Sequence, residues 1–424
     1  MKIRVRDMDY DAVMALPAEK HQKPVRPSRF LHSLVKLLAQ SELKAVHFRV
    51  EKKGMERLGA DEPALFLMNH SCFLDLKIAF ELLYPRDFHI VCTSDGFVGK
   101  AFLMRALGCI PTRKFMTDLT LVRDMTCALR NLKSSVLMYP EASYSFDGTA
   151  TSLPSSLGKC LKLLQVPVVM IRTEGAFGRD PLYNGLQIRK TDVSASMTYL
   201  LSPEDIAAMS VEELNAVLRE QFTFDNFRWQ QENGVVITED FRADGLNRVL
   251  YKCPVCGCEG AMTGKGTTLT CGHCGRVWTL TEAGFLESGD DPVFTHVPDW
   301  YAWERDCVRR DILEGRYSLD IPVEIAMLVD TKSLYRVGSG RLRHGPEGFR
   351  LEGCGGRLTV TVPPENTYSL YADYYWYEIG DMICIGDDRA LYYCFPEKGC
   401  DVAARTRLAT EELYRLKQMN RKGR

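Results

Sequence analysis

Ala64-Leu65-Phe66-Leu67-Met68-Asn69-His70-Ser71-Cys72-Phe73-Leu74-Asp75 is the stretch that decides how the first half of this chain folds. Residues 64–68 form a short apolar run that predicts a buried strand, and residues 74–83 have the apolar spacing of a helix. His70 and Asp75 stand five positions apart between these elements. Five residues of regular helix would rotate the second side chain by about 140° from the first, so the two could not meet on one straight helix. We therefore predict that His70 lies in the turn after the strand and Asp75 in the first turns of the helix.

This pairing of residue types suits acid-base chemistry. A neutral imidazole held by a carboxylate can take a proton from a hydroxyl near pH 7, as acyl transfer to an alcohol requires. Ser71 follows where it could cap free backbone N–H groups, and such groups favour a nearby phosphate or developing oxyanion. The competing interpretation is that His70 is structural, as a lone histidine beside an apolar run often is. Cys72 lacks the partner arrangement that a thiol nucleophile needs.

Short β-type runs alternate with helical ones from about residue 48 to residue 229, which predicts an α/β domain with a central mixed sheet flanked by helices. The predicted strands are residues 64–68, 88–92, 135–139, 166–171 and 193–200. The predicted helices between them are residues 74–83, 99–107, 117–132 and 157–164. Ser202 and Ser210, each followed by early carboxylates, predict two further helix starts that close the domain.

The length and charge of the chain limit its class. A chain of 424 residues exceeds one ordinary core, so we expect two or three domains. With Lys+Arg of 54 against Asp+Glu of 55, the net charge is -1, and we expect no nucleic-acid partner. No apolar run approaches the roughly 20 residues of a membrane-spanning helix, and residues 1–6 lack the apolar core of a signal peptide. We expect a cytoplasmic protein, peripherally associated with the cytoplasmic face of the membrane.

Residues 1–45 are predicted to form an N-terminal amphipathic helical region. Between residues 26 and 46, apolar side chains recur at helical spacing and basic ones lie among the polar positions. The apolar positions are Phe30, Leu31, Leu34, Val35 and Leu38. This stripe packs either on the protein's own core or, as in a basic helix on an enzyme with a lipid substrate, in the membrane interface.

Cysteine usage points to one metal site. The count of 15 is odd and most cysteines are scattered singly, which favours reduced thiols. Cys253-Pro254-Val255-Cys256 and Cys271-Gly272-His273-Cys274 are two Cys-x-x-Cys pairs, each followed by glycine, which is typical of a zinc ribbon at residues 250–290. We predict that Cys253, Cys256, Cys271 and Cys274 bind a structural zinc ion, and we do not count Cys258 or His273 as ligands. A site closed by four thiolates supports structure or docking rather than catalysis.

The last third of the chain, residues 300–424, is predicted to be a β-rich domain. Runs of β type alternate with turn signals such as Val337-Gly338-Ser339-Gly340 and Gly386-Asp387-Asp388, which favours a β-barrel-like or sandwich domain. Residues 405–419 have the spacing of a capping helix. A sheet capped by one C-terminal helix resembles a pleckstrin-homology-type domain, although no motif here fixes that identity.

Three more stretches place functional residue types beside predicted elements. Leu107-Gly108-Cys109-Ile110-Pro111-Thr112-Arg113-Lys114 ends a helix at glycine and then offers two cations suited to phosphate. Leu137-Met138-Tyr139-Pro140-Glu141-Ala142-Ser143-Tyr144-Ser145 sets a carboxylate just past a strand end, where ligand sites gather in α/β sheets. Gln165-Val166-Pro167-Val168-Val169 is a buried strand that opens with proline.

In this order and spacing, the four stretches resemble the four blocks of the glycerophospholipid acyltransferase family, the lysophosphatidate or 1-acyl-glycerol-3-phosphate acyltransferases. The resemblance covers roughly residues 45 to 230 and implies an acyltransferase domain at residues 46–240. It implies transfer of a fatty acyl group from a thioester donor, acyl-CoA or acyl carrier protein, to the hydroxyl of a lysophospholipid. The implied acceptor is 1-acyl-glycerol-3-phosphate and the implied product is phosphatidic acid.

The resemblance also implies roles for individual residues. His70 would be the general base, and Asp75 its orienting partner. The implied acceptor-binding residues are Asn69, Arg113, Lys114, Glu141 and Ser143. Among these, Arg113 or Lys114 would hold the acceptor phosphate, and Glu141 with its neighbours would bind the glycerol phosphate end.

The chain departs from the family pattern at several positions. The family's arginine commonly stands six residues after the glycine of the second block; that position is Lys114 here, and Arg113 precedes it, so both alternatives stay open. In the third block, Ala142 replaces glycine, Ser143 replaces threonine and Tyr144 replaces arginine. The missing arginine removes one expected phosphate contact. The alternatives are therefore another lysolipid acceptor, or a catalytically inactive lipid-binding scaffold with a zinc-ribbon interaction module.

Overall fold

The computed structural model describes residues 2–114, 119–289 and 291–422. The N-terminal region contains strand β1 (Val5–Asp7), helix α1 (Tyr10–Met14) and helix α2 (Arg29–Ala45). The predicted helical region at residues 1–45 therefore also contains a strand, and β1 pairs in parallel with residues 334–336 of the distant C-terminal sheet. Helix α2 begins at Ser28, whose hydroxyl accepts from the Leu31 N–H at 3.4 Å.

A mixed seven-stranded sheet forms the centre of the next region, as predicted. Its elements in chain order are β2 (Arg49–Lys53), β3 (Leu65–Met68), α3 (Leu74–Leu83), β4 (Phe88–Thr93), α4 (Ala101–Ala106), β5 (Cys109–Thr112), α5 (Leu119–Thr126), β6 (Ser135–Met138), α6 (Leu157–Leu164), β7 (Val168–Glu174), α7 (Ala176–Arg179), β8 (Ser194–Leu201), α8 (Pro203–Ala208), α9 (Val211–Phe222) and α10 (Asn226–Glu232). The strand order is β2-β8-β7-β3-β6-β4-β5. All neighbouring pairs are parallel except β7 with β8.

The order of these strands positions the site. Strand β3 lies in the interior of the sheet between β7 and β6, and all four of its residues are buried. Because β3 and β6 are parallel, the turns that follow them, at residues 69–73 and 139–145, open at the same edge of the sheet. Ligand sites of open α/β sheets gather at this edge.

Most predicted elements of this region are present, with instructive differences. Strands β2 and β5 were not predicted, because β2 is a charged, fully exposed run and β5 is short and contains proline. The predicted helix at residues 117–132 begins outside the described residues, and α5 continues into π-helical turns at Cys127–Asn131. Ser202 and Ser210 both form capping boxes, as predicted, with Asp205 and Glu213.

The cysteine-rich region is a small antiparallel sheet. Its strands are β9 (Met262–Lys265), β10 (Thr268–Cys271), β11 (Val277–Leu280) and β12 (Leu286–Glu287), in the order β12-β11-β10-β9. Each Cys-x-x-Cys turn closes through a glycine, since Gly257 and Gly275 donate to the carbonyls of Cys253 and Cys271 at 2.9 Å. Both glycines have positive φ, 73° and 74°, which a residue with a Cβ atom adopts only with strain.

The remainder is a β-rich region with a helix at each end. Its elements are α11 (Val297–Leu313), β13 (Leu319–Leu328), β14 (Leu334–Gly345), β15 (Gly348–Gly353), β16 (Leu358–Val362), β17 (Tyr371–Trp376), β18 (Gly380–Gly386), β19 (Leu391–Pro396) and α12 (Ala403–Lys422). The strand order is β16-β15-β14-β13-β19-β18-β17, antiparallel throughout, with β1 added in parallel on β14. The antiparallel sheet and final helix confirm the prediction, whereas α11 was not predicted.

The three regions share a core rather than standing apart. One hydrophobic cluster joins Phe146 of the α/β region, Trp278 of the cysteine-rich sheet, Trp300 of α11 and Ile325 of β13. Such shared burial couples the regions, because separating them would expose large apolar side chains to water. In the part of the chain that the structure describes, no helix has the length and apolar character needed to cross a membrane.

Candidate active site

His70 and Asp75 meet as the sequence predicts. His70 lies in the turn after β3, and Asp75 lies in the first turn of α3. Their Nδ1 and Oδ2 atoms are 3.0 Å apart, and Asp75 is fully buried. A carboxylate only accepts hydrogen bonds, so Nδ1 carries the proton and donates to Asp75. Nε2 is thereby left with the lone pair that a general base needs.

The same Asp75 oxygen also fixes the turn. Oδ2 accepts from the backbone N–H groups of Ser71 at 2.7 Å and Cys72 at 3.1 Å. Ser71 was expected to cap this helix start, but Asp75 does so, and the Ser71 hydroxyl accepts from Asn69 Nδ2 at 3.4 Å instead. Two of the N–H groups that the sequence offered to a phosphate or an oxyanion are therefore used by Asp75.

The environment of His70 favours the neutral imidazole. Burial lowers the pKa of His70 below its ordinary 6.5, although the Asp75 carboxylate opposes the shift, and the charge of Lys114 lowers it further. An imidazole with a lowered pKa is deprotonated at pH 7. The side chain is 18% exposed, so the ring is largely withdrawn from water.

Two tyrosine rings enclose the imidazole. The ring centroids of Tyr139 and Tyr144 lie 4.3 Å and 3.9 Å from that of His70, and both pairs are stacked. Burial raises the pKa of each phenol well above its usual value, so both are neutral. Tyr139 was not predicted as a site residue, although its position as the last residue before Pro140 at a strand end was the available signal.

Asn69 joins the first turn to strand β7. Its Nδ2 donates to the Thr173 carbonyl at 3.0 Å, and its Oδ1 accepts from the Thr173 N–H at 2.8 Å. Asn69 is fully buried. Both ends of the amide bind the backbone of β7, so Asn69 fixes where the turn leaves the sheet; its predicted role as an acceptor contact stays a prediction.

Glu141 connects the turn after β6, to which it belongs, with the turn after β3. Its Oε2 accepts from the His70 N–H at 2.9 Å, and its Oε1 accepts from the Thr151 N–H at 2.7 Å. Burial raises the pKa of Glu141 to about 7, although the N–H bonds from Thr151 and His70 oppose that shift. Glu141 thus braces the base, and its predicted contact with the glycerol phosphate end stays a prediction.

The turn at residues 141–145 has a strained backbone. Ala142 has a φ of 57°, in the left-handed region, where the family pattern has glycine. An L-residue in this region costs roughly 1–2 kcal/mol, so the turn needs ties from outside. One tie runs to Ser143, whose Oγ accepts from Arg407 of α12.

The two cations of the second block lie in different surroundings. Arg113 Nη1 donates to the carbonyls of Asp387 and Asp388, at 3.2 Å and 2.9 Å, in the loop between β18 and β19. Lys114 Nζ lies 3.8 Å from the ring centre of Tyr371, and burial lowers its pKa. Lys114 is also the cation whose charge acts on His70. The geometry favours Lys114 over Arg113 as the phosphate contact, a role that stays a prediction for both.

The four predicted ligand cysteines converge. Their sulfur atoms all lie within 4.8 Å of one another. The Sγ atoms of Cys253 and Cys274 are 3.7 Å apart, as are those of Cys256 and Cys271. A tetrahedral site with Zn–S bonds of 2.3 Å has sulfur atoms about 3.8 Å apart. The cluster could therefore hold a metal ion.

Comparison with known proteins supports an acyltransferase domain. Residues 49–173 match the family model described as Acyltransferase. Among solved structures, the chain is similar to the 1-acyl-sn-glycerophosphate (LPA) acyltransferase PlsC from Thermotoga maritima, with 16% identity and a TM-score of 0.36, over 46% of this chain and 78% of that chain. No curated protein matches the chain. The matched residues include both members of the His70–Asp75 pair, so the match to the Acyltransferase family model covers the segment that holds the candidate base.

Proposed function

We propose that the protein transfers a fatty acyl group from a thioester donor, acyl-CoA or acyl carrier protein, to the hydroxyl of a lysophospholipid. We propose 1-acyl-glycerol-3-phosphate as the acceptor, which gives phosphatidic acid. The proposal rests on the 3.0 Å contact between His70 Nδ1 and Asp75 Oδ2 inside the segment that matches the acyltransferase family. The lowered pKa of His70 supports it, because a base must be neutral to accept a proton.

The proposed reaction needs no covalent enzyme intermediate. His70 Nε2 takes the acceptor's hydroxyl proton while the hydroxyl oxygen attacks the thioester carbonyl carbon. As the tetrahedral intermediate collapses, the C–S bond breaks and the imidazolium returns the proton to the leaving thiolate. Asp75 stabilises the imidazolium that forms between these steps. Burial raises the pKa of the Cys72 thiol well above its usual value, which leaves it a poor nucleophile.

The decisive experiment uses the full-length chain with radiolabelled acyl thioesters and a panel of lysolipids. We expect wild-type protein to release free thiol and to form diacyl product, and His70→Ala to do neither. Equal acyl incorporation by both proteins would show that His70 is not the base. The absence of transfer with every donor and acceptor would leave the scaffold alternative.

The acceptor is tested by a matched pair of variants. Lys114→Met and Arg113→Met each remove one cation of the second block, and only Lys114 acts electrostatically on His70. We expect Lys114→Met to raise the KM for 1-acyl-glycerol-3-phosphate more than Arg113→Met does. Neither variant should change the KM for a lysolipid without a terminal phosphate. If both variants leave the KM for 1-acyl-glycerol-3-phosphate unchanged, neither Arg113 nor Lys114 binds the acceptor phosphate.

We propose that the metal of the cysteine cluster is a zinc ion. The four thiols and their 3.7 Å sulfur separations support this, because zinc favours four tetrahedral thiolates in structural sites. Elemental analysis of purified protein should find about one zinc per chain in wild type and in Cys258→Ser. Cys271→Ser should lose it. Full zinc content in Cys271→Ser would contradict this ligand set.

We also propose peripheral association with the cytoplasmic face of the membrane through α2. Four apolar side chains on this helix are exposed: Phe30 by 73%, Leu34 by 39%, Leu37 by 69% and Leu38 by 66%. An apolar stripe on a basic helix is typical of interfacial binding. Triple serine substitution of Phe30, Leu37 and Leu38 should abolish co-sedimentation with anionic vesicles. Unchanged co-sedimentation would refute the role of this helix.

A further inference from the structure

An arginine from the C-terminal helix enters the acyltransferase domain. Arg407 of α12 is only 3% exposed, although arginine is rarely buried without partners. Its Nη2 donates to the hydroxyl of Ser143, and its Nη1 donates to the Tyr144 carbonyl at 3.1 Å. Its guanidinium carbon also lies 4.4 Å from the ring centre of Phe146. One side chain, 264 residues from Ser143 in sequence, therefore binds the turn at Ser143 and Tyr144 and contacts the Phe146 ring just after it.

That turn carries the ring that covers the base. Tyr144 stacks on the His70 imidazole at 3.9 Å, and the position of its ring depends on the backbone to which Arg407 donates. Ala142 makes the backbone of the turn strained, so relaxation is expected once the tie is removed. The contact from Arg407 is thus the link between α12 and the exposure of His70.

The charge on Arg407 is balanced on its own helix. Glu411 Oε1 lies 3.7 Å from Arg407 Nε, one helical turn away. Burial alone would raise the pKa of Glu411, but Arg305 and Arg407 lower it, so the carboxylate is ionised. Because Nε faces Glu411, the two terminal nitrogens Nη1 and Nη2 can donate to the neutral oxygens of the turn. The planar fork of arginine can reach both oxygens at once, which lysine cannot do.

The C-terminal sheet makes a second, independent contact with the site. The Tyr371 hydroxyl of β17 donates to Asp95 Oδ2 at 2.8 Å, and the Tyr371 ring lies 3.8 Å from Lys114 Nζ. Asp95 and Lys114 belong to the α/β region. The C-terminal region therefore contacts both the second and the third sequence block of the site.

We propose that Arg407 is a positioning residue of the acyl-transfer site, through which helix α12 holds Tyr144 over the His70 imidazole. The expected effect of Arg407 on the rate of acyl transfer rests on the proposed function. The covering of His70 does not, because it can be measured without substrate. It makes the C-terminal region a structural part of the active site, although that region lies outside the segment that matches the family.

The covering of His70 has a consequence that can be measured by titration. The titratable groups that face His70 are Asp75 from α3, Lys114 from the second block, Tyr139 from the end of β6, and Glu141 and Tyr144 from the turn at residues 141–145. Burial is the largest influence on the pKa of His70 and lowers it, Asp75 opposes that shift, and Lys114 lowers the pKa further. Withdrawing the Tyr144 ring lets water reach the imidazole, which moves the His70 pKa up towards 6.5. Tyr139 and Asp75 remain in place.

The test is a nuclear magnetic resonance titration of the protein with labelled histidine rings, without substrate. The chain has eight histidines, and His70→Gln assigns the signal of His70. Arg407→Met should raise the pKa of His70 by roughly half a unit to one unit. Arg407→Lys should give a smaller shift, because one of the two hydrogen bonds can persist. The control is Arg415→Met on the same helix, since Arg415 is 51% exposed and pairs with Glu412; it should leave the titration unchanged.

A double-mutant cycle shows whether Arg407 acts through the ring. Tyr144→Ala should raise the His70 pKa by itself, and adding Arg407→Met should change it little further. In the enzyme assay, the acid limb of kcat/KM should move to higher pH by the same amount, and kcat should fall more than KM rises. If Arg407→Met unfolds the protein, as judged by thermal melting, Arg407→Lys decides the question.

Two results would overturn the inference. One is an unchanged His70 pKa in a folded Arg407 variant, and the other is an equal shift in Arg415→Met, which would indicate a general loosening of the helix. A wild-type protein that transfers no acyl group but shows the predicted titration shifts would refute the proposed function alone. The two failures are therefore distinguishable.

Discussion

The turns that follow β3 and β6 lie side by side in the site but are held in different ways. The turn at residues 69–75 is fixed chiefly from within, since Asp75 binds His70, Ser71 and Cys72, although Asn69 also binds Thr173 and the His70 N–H donates to Glu141. The turn at residues 141–145 is fixed from elsewhere, by Thr151 and by Arg407, which is 264 residues from Ser143. The contacts of Asp75 form within residues 70–75, whereas the contacts of Arg407 with the turn at residues 141–145 exist only when the C-terminal region is packed in place.

The largest expected effect is the loss of the base in the local turn. His70→Ala should lower kcat by roughly 10³-fold or more, because general-base catalysis contributes up to about 10⁴-fold. The measurement is thiol release from the acyl donor at saturating acceptor. His47→Ala is a matched control, since His47 forms an exposed pair with Asp192 at 2.8 Å. A comparable loss in both variants would indicate a general defect and not loss of a base.

Asp75→Asn tests whether the local turn depends on one carboxylate. All three hydrogen bonds go to Oδ2, so an amide oxygen can take its place, but the amide has no charge to strengthen these bonds or to stabilise the imidazolium. Its NH₂ group would also stand at the buried position of Oδ1, which has no hydrogen-bond partner. We expect a roughly 10²-fold lower kcat and an unfolding free energy lower by about 1–3 kcal/mol. Activity assays and urea denaturation measure the two effects. An unaltered rate with unaltered stability would show that the turn is fixed by other contacts.

The pH dependence of catalysis reports on the covering of His70 by the distant turn. Only the neutral imidazole accepts a proton, so kcat/KM should fall as pH falls through the lowered pKa of His70. The loss should approach tenfold per pH unit below that pKa. The acid limb should therefore lie below pH 6.5, the ordinary value for histidine. A limb at or above pH 6.5 would mean that the tyrosine rings do not shield the base during turnover.

Glu141→Gln probes the brace between the two turns. Glutamine keeps one accepting oxygen, so either the His70 N–H or the Thr151 N–H loses its partner, which costs about 1–3 kcal/mol of stability. The carboxyl has a raised pKa, so wild type gradually loses stability as pH rises from 4.5 to about 7. The deficit of the variant, measured by urea denaturation, should therefore shrink over that range. A deficit that grows instead would contradict the raised pKa.

The smallest effect is expected from Cys72→Ala. The thiol is buried and protonated, and the turn uses the backbone of Cys72, whose N–H donates to Asp75 Oδ2 and whose carbonyl accepts from the Asp75 N–H. We expect kcat to stay within about twofold of wild type and stability to fall by no more than about 1.5 kcal/mol. Loss of activity comparable to that of His70→Ala would instead reveal a thiol nucleophile.

The sequence predicts those features of the fold and the site that depend on residues close to one another in the chain. The His70–Asp75 geometry, the central strands, both capping boxes and the convergence of four cysteines depend on short spacings. Tyr139 and Tyr144 as the cover of the base, and Arg407 as a tie to the turn, depend on contacts between distant segments. The same holds for β1, since nothing in residues 5–7 indicates that they pair with residue 334 onward. Strand β5 was missed for another reason, because Pro111 interrupts its short apolar run.

The parallel pairing of β1 with β14 affects how the chain can be made and cut. Val5 is synthesised early but has no strand partner until Leu334 has left the ribosome. Until then, residues 5–7 have no partner strand, and their backbone N–H and C=O groups stay open to other strands. Removing residues 1–45 would strip a strand from the far sheet as well as deleting α2. A truncation meant to isolate membrane binding would therefore also disturb the region that carries Arg407.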